Sequence, residues 1–197
     1  MAYRSMQRRD EWLAALSALG VVDNTMDGGG HESASWMRFR DGNGWYEARS
    51  LDQALDVVPL LDLSKEVAAA IRLFDPDVIY THWPFDLNQD HRCVAEAVLI
   101  ATRPVAGSSV SRVLAGEVPE STSQAFGGQS FAPTVFVALG RAHVDAKLAA
   151  LECYASERRE RPHLRNRVAV EARTEYWGGV SGVHNAEAFV LLREVVA

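Results

Sequence analysis

The chain has 197 residues and a formal net charge of −6, with 48% hydrophobic and 23% charged residues. This length and composition predict one globular domain over 1–197 with a substantial core. The acidic balance argues against nucleic acid as the main partner, and no apolar run approaches the ~20 residues that a membrane-spanning helix needs. The two cysteines lack a C-x-x-C spacing and sit in helical patterns, which favours free thiols and a cytoplasmic protein.

The first part of the chain alternates between helical and turn patterns. Apolar residues at helical spacing predict a helix over 4–19. Segment 24–50 is rich in Gly, Asp, Asn and Ser, which predicts turns with one short strand around Trp36–Phe39. A 3.6-residue period over 62–74 predicts the next helix.

The centre of the chain then follows the order of an α/β sheet. Pro76 ends the helix, because the residue before a proline avoids helical geometry. The apolar run Val78–Tyr80 predicts a buried parallel strand, which is followed by a polar stretch and a helix ending before Pro104. This order is typical of a doubly wound α/β sheet. The later patterns predict strands around 110–118 and 134–139 and helices near 141–158, 165–177 and 185–194.

The polar stretch THWPFDLNQDHR (81–92) leaves a strand at its carboxyl end, where open α/β sheets bind ligands. His91 falls in the first turn of the next helix, whose dipole keeps the imidazole neutral, as a metal ligand must be. Asp86 and Asp90 can act as metal ligand, as hydrogen-bond partner of a ligand or as proton carrier. A second interpretation is also open, because Asp86 or Asn88 fits the role of an ordinary N-cap.

The same stretch resembles the second signature of the PIG-L/LmbE-like family of zinc-dependent N-acetylglucosaminyl deacetylases. That signature runs Thr-His, a short spacer, Asp-Leu-Asn, any residue and Asp-His-Arg, and Gln89 stands at the free position here. The resemblance covers 50–197 in ordered blocks, and 8–21 also fits. The blocks are LDLSKEVAAAIRLFDPDVIYTH (61–82), EAVLIATRP (96–104), EVPEST (117–122), FAPTVFVAL (131–139), KLAALECYASERRERPHLR (147–165) and GGVSGVHNAEAFVLLR (178–193).

The resemblance implies a Rossmann-like (LmbE-like) three-layer α/β fold with a mostly parallel sheet. Family members bind one Zn²⁺ through two His and one Asp, with water in the open position that a catalytic zinc keeps. The metal lowers the pKa of this water, an Asp takes its proton, and hydroxide attacks the acetamide carbonyl of an amino-sugar conjugate. By resemblance, His91 is the zinc ligand of the second signature, and Asp90 acts beside it in catalysis.

The family's first signature, Ala-His-Pro-Asp-Asp-Glu, does not occur in the 197 residues. The family pattern places it before Arg8, so we expect an N-terminally incomplete domain without the first strand and helix. A single imidazole cannot supply three ligands, so we expect weak zinc binding and impaired deacetylation. An uncovered strand edge would also favour an oligomer formed through the incomplete sheet.

Other candidate residues carry two interpretations each. His82 either polarises the substrate carbonyl, a role of a His in many relatives where this chain has Asn88, or hydrogen-bonds the loop. Arg92 either contacts an anionic group of the substrate or is solvated. His163 matches a Pro-His-Pro-Arg-Ser block only in part, and Glu117 lies in EVPEST, near the substrate side. We predict catalytic roles for Asp90 and His82 and substrate binding by Arg92, Asn88, His163 and Glu117.

Three function classes remain at this point. The first is a metal-dependent sugar de-N-acetylase, and the second is a non-catalytic binding or interaction paralogue that has lost the zinc site. A nucleotide-binding α/β protein is the third, but it predicts a glycine-rich turn between the first strand and a helix. The DGGG run at 27–30 lacks that context.

Overall fold

The computed structural model describes residues 58–105 and 108–196, and before them residues 11, 14, 15, 17–19, 39–41, 44–46 and 55. The described residues of the predicted helix over 4–19 are helical up to Ala18. Of the predicted strand Trp36–Phe39, residues 36–38 lie outside the described part. From Phe39 the backbone forms β1 (Phe39–Asp41), which pairs antiparallel with β2 (Gly44–Tyr46).

The helices and strands after residue 58 follow the predicted order up to the last element. The predicted helix over 141–158 ends earlier, at Cys153. The elements are α1 (Leu60–Phe74), β3 (Val78–His82), α2 (Gln89–Ala101), β4 (Arg112–Gly116), β5 (Val135–Ala138), α3 (Arg141–Cys153), α4 (Arg167–Ser181) and β6 (Ala186–Glu194).

The predicted helix over 185–194 is wrong, because this segment is the nine-residue strand β6. An apolar run of this length does not distinguish a buried helix from a strand by periodicity. Its centre, Phe189-Val190-Leu191, contains the aromatic and β-branched residues that strands favour. Pairing with β4, with Gly116 opposite Phe189, decides the conformation.

The sheet is mixed, with the order β3-β4-β6-β5. β3 and β4 are parallel, with Val78 opposite Arg112 and His82 opposite Gly116. β4 and β6 are antiparallel, with a register shift between Val113 and Leu114. The predicted α/β class and the parallel pairing of β3 are confirmed. The expected mostly parallel sheet is not confirmed, because β4 and β6 run antiparallel.

The predicted burial of Val78–Tyr80 is wrong. Val78 and Ile79 are half-buried, and Tyr80 is 59% exposed. β3 stands at one end of the described sheet, next to β4 alone. An end strand has a neighbour on one side only, whereas β4, with neighbours on both sides, buries Val113, Leu114 and Ala115.

The chain divides into two compact units. Unit A comprises 51–137 and 188–197, and unit B comprises 1–50 and 138–187. In the described part of the chain, no helix is long and apolar enough to cross a membrane. The buried apolar residues of unit A include Leu63, Val67, Trp83, Ala95, Ala97, Val98, Val110, Val113, Leu114, Ala115 and Ala188.

In unit B, α3 and α4 are in contact, and their buried side chains include Val144, Leu148 and Trp177. Gly178 on α4 lies against the chain that leads into β6. A Cβ at this position would lie 2.4 Å from the carbonyl oxygen of His184, so only glycine fits. The helix ends at Gly182, whose φ of 79° is the left-handed conformation in which helices commonly terminate.

Candidate active site

The polar stretch lies at the edge of the sheet where parallel strands β3 and β4 both end. His82 closes β3 opposite Gly116, which closes β4. The segments that follow these strands are joined by a hydrogen bond from the backbone N–H of Leu87 to the carbonyl of Ser121, at 3.2 Å. In open α/β sheets, ligands bind outside the carboxyl ends of the strands, so this edge is the expected place for chemistry.

Local hydrogen bonds shape the turn between β3 and α2. The side chain of Asn88 caps α2 by accepting a hydrogen bond from the N–H of Asp90 at 2.9 Å, which confirms the N-cap interpretation for Asn88. Nη1 of Arg92 donates to the carbonyls of Asp86 and Leu87 at 2.7 and 2.6 Å. The guanidinium of Arg92 therefore reaches back from the helix and fixes the loop.

Asp86 is the buried centre of this turn, at 1% exposure. Its Oδ1 accepts hydrogen bonds from the N–H of Asn88 at 2.9 Å and from Nδ1 of His91 at 3.0 Å, and its Oδ2 accepts one from Thr122 Oγ1. Burial alone raises the pKa of Asp86, but the hydrogen bonds it accepts, that from Thr122 foremost, hold its pKa below the ordinary value. Asp86 is therefore a carboxylate at neutral pH.

A carboxylate at this position decides which nitrogen of His91 carries the proton. Asp86 can only accept, so Nδ1 of His91 is the donor, and the Nε2 lone pair of the neutral ring is available. The His91 side chain is 21% exposed, while that of Asp86 is fully buried. This is the arrangement in which proteins commonly present a histidine to a metal ion.

His82 stacks on His91, with ring centroids 4.1 Å apart and planes inclined by 12°. Burial is the main cause that lowers the pKa of His82, to about 4, and repulsion from a charged His91 adds to it, against an opposing attraction from Asp86. His82 is therefore neutral at neutral pH.

The described residues do not complete a zinc site. No group of three His, Cys, Asp or Glu side chains placed to hold a metal occurs among them. The lone pairs of an imidazole lie in the ring plane, so two stacked, nearly parallel rings cannot both point at one ion at the usual distance of about 2 Å. The described part of the chain therefore offers His91 as one well-prepared ligand.

The other predicted site residues lie in three places. Asp90 turns Oδ1 to the N–H of Leu55, at 2.6 Å, so this carboxylate also holds the segment before α1. Glu117 follows β4 directly and is half-buried. His163 belongs to unit B, where its Nδ1 accepts a hydrogen bond from the N–H of Arg165 at 3.1 Å. His82, Asn88, Asp90, His91 and Arg92 are thus brought together around one loop.

Two residues beside the site were not predicted from the sequence. Thr122 binds the carboxylate of Asp86, and the hydroxyl of Ser121 lies 3.4 Å from Nδ1 of His91. Both belong to the EVPEST block, which the sequence singled out through Glu117. The signal was present in that block, but contacts across 30 and 36 residues depend on strand pairing.

Comparison with models of protein families identifies the family of this chain. The family model for GlcNAc-PI de-N-acetylase (PIG-L) matches residues 2–102. This match covers half of the chain and includes the whole polar stretch, so the chain belongs to the PIG-L family. A comparison with curated proteins gives no match.

Several solved structures share the fold. The conserved protein TT1542 from Thermus thermophilus is 24% identical, with a TM-score of 0.60 over 98% of this chain and 76% of that one. N,N'-diacetylchitobiose deacetylase from Pyrococcus horikoshii is 15% identical, with a TM-score of 0.62 over 95% and 64%. The zinc-inhibited form of teicoplanin deacetylase Orf2 is 19% identical, with a TM-score of 0.59 over 98% and 76%.

Proposed function

We propose that the chain is a de-N-acetylase that hydrolyses the acetamide of an N-acetylglucosamine-containing conjugate, and that this activity is impaired in this chain. Membership of the PIG-L family supports the reaction class. The structural relatives include deacetylases of N,N'-diacetylchitobiose and teicoplanin, which supports an amino-sugar conjugate as the substrate class.

One observation carries the proposal. His91 lies at the carboxyl edge of the parallel strand pair, its Nδ1 is bound to the buried carboxylate of Asp86, and its ring is partly exposed. A histidine that served only to satisfy the loop would need no buried anionic partner, because placing a charge in the interior is costly. The buried carboxylate of Asp86 therefore supports a role for the partly exposed ring of His91 beyond the loop itself.

The remaining predicted roles belong to this proposal. His82, as a neutral imidazole, donates a hydrogen bond to the acetamide carbonyl oxygen, and Asp90 carries protons. Zinc is the cofactor that the resemblance implies, and since the described residues include no cluster of three ligands, the chain alone binds it weakly. The proposed contacts to the substrate are Arg92, Asn88, Glu117 and His163.

A second candidate is a non-catalytic binding or interaction paralogue. The lack of a cluster of three metal-binding side chains in the described part of the chain favours it. The two candidates differ in zinc-dependent turnover, because an impaired enzyme releases amine slowly when zinc is added and a paralogue without the site releases none. The activity test described below separates them.

We also propose a cytoplasmic location and an oligomer formed along the sheet edge. The free thiol of Cys153 agrees with the cytoplasm. β3 ends the described sheet and Tyr80 is exposed there, which supports pairing with a second chain along that edge. Light scattering after size exclusion tests the second point: a dimer is expected, and a clean monomer would contradict it.

The activity test measures amine release from N-acetylglucosamine conjugates with and without added zinc. We expect slow, zinc-dependent release that is lost in His91→Gln. His184→Gln is the matched control, because His184 is an exposed histidine of unit B. Amine release that persists in His91→Gln would overturn the proposed site. Fast release with one zinc bound per chain would overturn the proposed impairment. A protein that neither releases amine nor binds zinc would favour the paralogue.

A further inference from the structure

The hydroxyl of Thr122 is held in an orientation that donates a hydrogen bond to Asp86. Thr122 is 8% exposed. Its Oγ1 accepts a hydrogen bond from the N–H of Val118 at 2.8 Å, and its own N–H donates to the Val118 carbonyl at 2.9 Å. A hydroxyl has one proton to donate, and the hydroxyl proton of Thr122 points to Oδ2 of Asp86. Both its backbone and its hydroxyl are thus fixed by the turn that follows β4.

The hydroxyl of Thr122 controls the geometry of the hydrogen bond between Asp86 and His91. With Oδ2 bound to Thr122, the plane of the carboxylate is set, and Oδ1 is left for the N–H of Asn88 and for Nδ1 of His91. Without the hydroxyl, a nearly fully buried oxygen loses the donor that holds it, and the carboxylate gains freedom to turn. This freedom weakens the hydrogen bond that keeps the proton on Nδ1 of His91.

We infer that Thr122 is a positioning residue that fixes the Nδ1–H tautomer and the orientation of His91 through the carboxylate of Asp86. The segment after β4 thereby controls an imidazole on the loop after β3. The functional meaning of this control rests on the proposed role of His91, but the tautomer itself is a property of the free protein.

A positioning role differs from a purely structural role for Thr122 in closing the 118–122 turn. A structural role predicts lower stability on substitution and an unchanged tautomer. The positioning role predicts that the tautomer follows the hydroxyl: Thr122→Ser keeps it, and Thr122→Val removes it at nearly equal volume. Thr102→Val is the matched control, because Thr102 is a buried threonine of unit A whose hydroxyl donates to the carbonyl of Val98, at 2.8 Å, and not to Asp86.

The test is ¹⁵N–¹H NMR of the His91 imidazole in metal-free protein at pH 7. Wild type, Thr122→Ser and Thr102→Val are expected to show the Nδ1–H tautomer. In Thr122→Val the ratio of Nδ1–H to Nε2–H should fall about tenfold or more, as expected on weakening a hydrogen bond to a charged group. If Thr122→Val does not fold, Thr122→Ala is read in the same way.

An unchanged tautomer in the folded Val or Ala variant would overturn the inference. The experiment needs no substrate and no metal, so it also gives an answer if the chain has no deacetylase activity. If the wild-type chain has no deacetylase activity but the tautomer of His91 changes in Thr122→Val, the result would count against the proposed function and leave the positioning role of Thr122 in place.

Discussion

Two connections between helix and strand are built in opposite ways. The β3–α2 loop in unit A encloses a buried carboxylate that collects hydrogen bonds from Asn88, His91 and Thr122. The α4–β6 connection in unit B is held by close contact between backbone atoms, at a glycine that admits no Cβ. The polar loop holds its histidine, His91, on a buried carboxylate, whereas His184 of the steric connection takes part in the contact through its backbone carbonyl. The first connection therefore orients a side chain, and the second is a packing contact.

The steric connection should give the largest loss of stability. In Gly178→Ala the new methyl group lies 2.4 Å from the carbonyl oxygen of His184, and backbone must move to admit it. Overpacking against rigid atoms costs about 3 kcal/mol, and we expect a loss of that size in urea unfolding. A loss below about 1 kcal/mol would show that the connection is not sterically held.

Removing the charge of Asp86 from the β3–α2 loop, at constant side-chain shape, should lower the stability of the protein. Asp86→Asn puts an amide NH₂ among donors, so at least one buried donor loses its acceptor, and we expect a loss of about 2 kcal/mol at pH 7 in urea unfolding. Asp62→Asn is the control, because Asp62 is exposed and pairs only with Lys65 at 3.0 Å among the described contacts, so its effect stays within about 0.5 kcal/mol. Equal effects of the two substitutions would contradict the role of Asp86.

The pH dependence of the Asp86 contribution follows from its lowered pKa. A carboxyl group with a lower pKa in the folded state stabilises the protein at pH values above its unfolded pKa of 3.8. That contribution disappears as the pH falls through the folded value. The difference between wild type and Asp86→Asn should therefore be complete at neutral pH and shrink below about pH 3.8.

His82 should make the metal-free protein less stable in mild acid. Its pKa is about 4 in the folded protein and 6.5 in the unfolded chain, so the unfolded chain binds the proton first. The contribution is complete above pH 6.5 and is lost as the pH falls toward 4, with a size of about 1–2 kcal/mol for a partly exposed ring.

Urea unfolding at pH 7 and pH 4.5 in the presence of EDTA measures this loss. His82→Phe keeps an aromatic ring next to His91 and should remove that part of the pH dependence. His184→Gln, which changes an exposed histidine, should keep it. The same pH dependence in wild type and His82→Phe would show that His82 is not held neutral.

The smallest expected effect is a gain of stability rather than a loss. Gly179 follows Gly178 on α4, but a Cβ there meets no atom within 4 Å. Gly179→Ala should therefore stabilise the helix by about 0.5–1 kcal/mol, through the better helix propensity of alanine. A higher melting temperature for Gly179→Ala and a much lower one for Gly178→Ala would support the steric explanation. Similar losses of stability in the two variants would contradict it.

The sequence predicts what depends on local pattern. The periodicity of α1, the short apolar β3 and the polar N-terminus of α2 are local, and the structure contains them. The strand β6 was not predicted, because its conformation depends on pairing with β4. The exposure of Tyr80 follows from the position of β3 in the sheet, and a sequence does not state the order of strands.

The candidate site follows the same division. His91 and its neighbours are contiguous in sequence, and their motif is recognisable as a unit. The bond from Thr122 to Asp86 joins residues 36 apart, and it exists because β3 and β4 end at the same edge. A signature therefore indicates the candidate residue His91, while the groups that orient His91 appear only when the strands are placed side by side.

The most direct test of the proposed site is calorimetric titration of zinc into the EDTA-treated chain, with His91→Ala beside it. We predict weak binding that depends on His91, because this imidazole presents Nε2 and the described residues include no three-ligand cluster. Tight binding of one zinc per chain, or binding that is the same in His91→Ala, would contradict it.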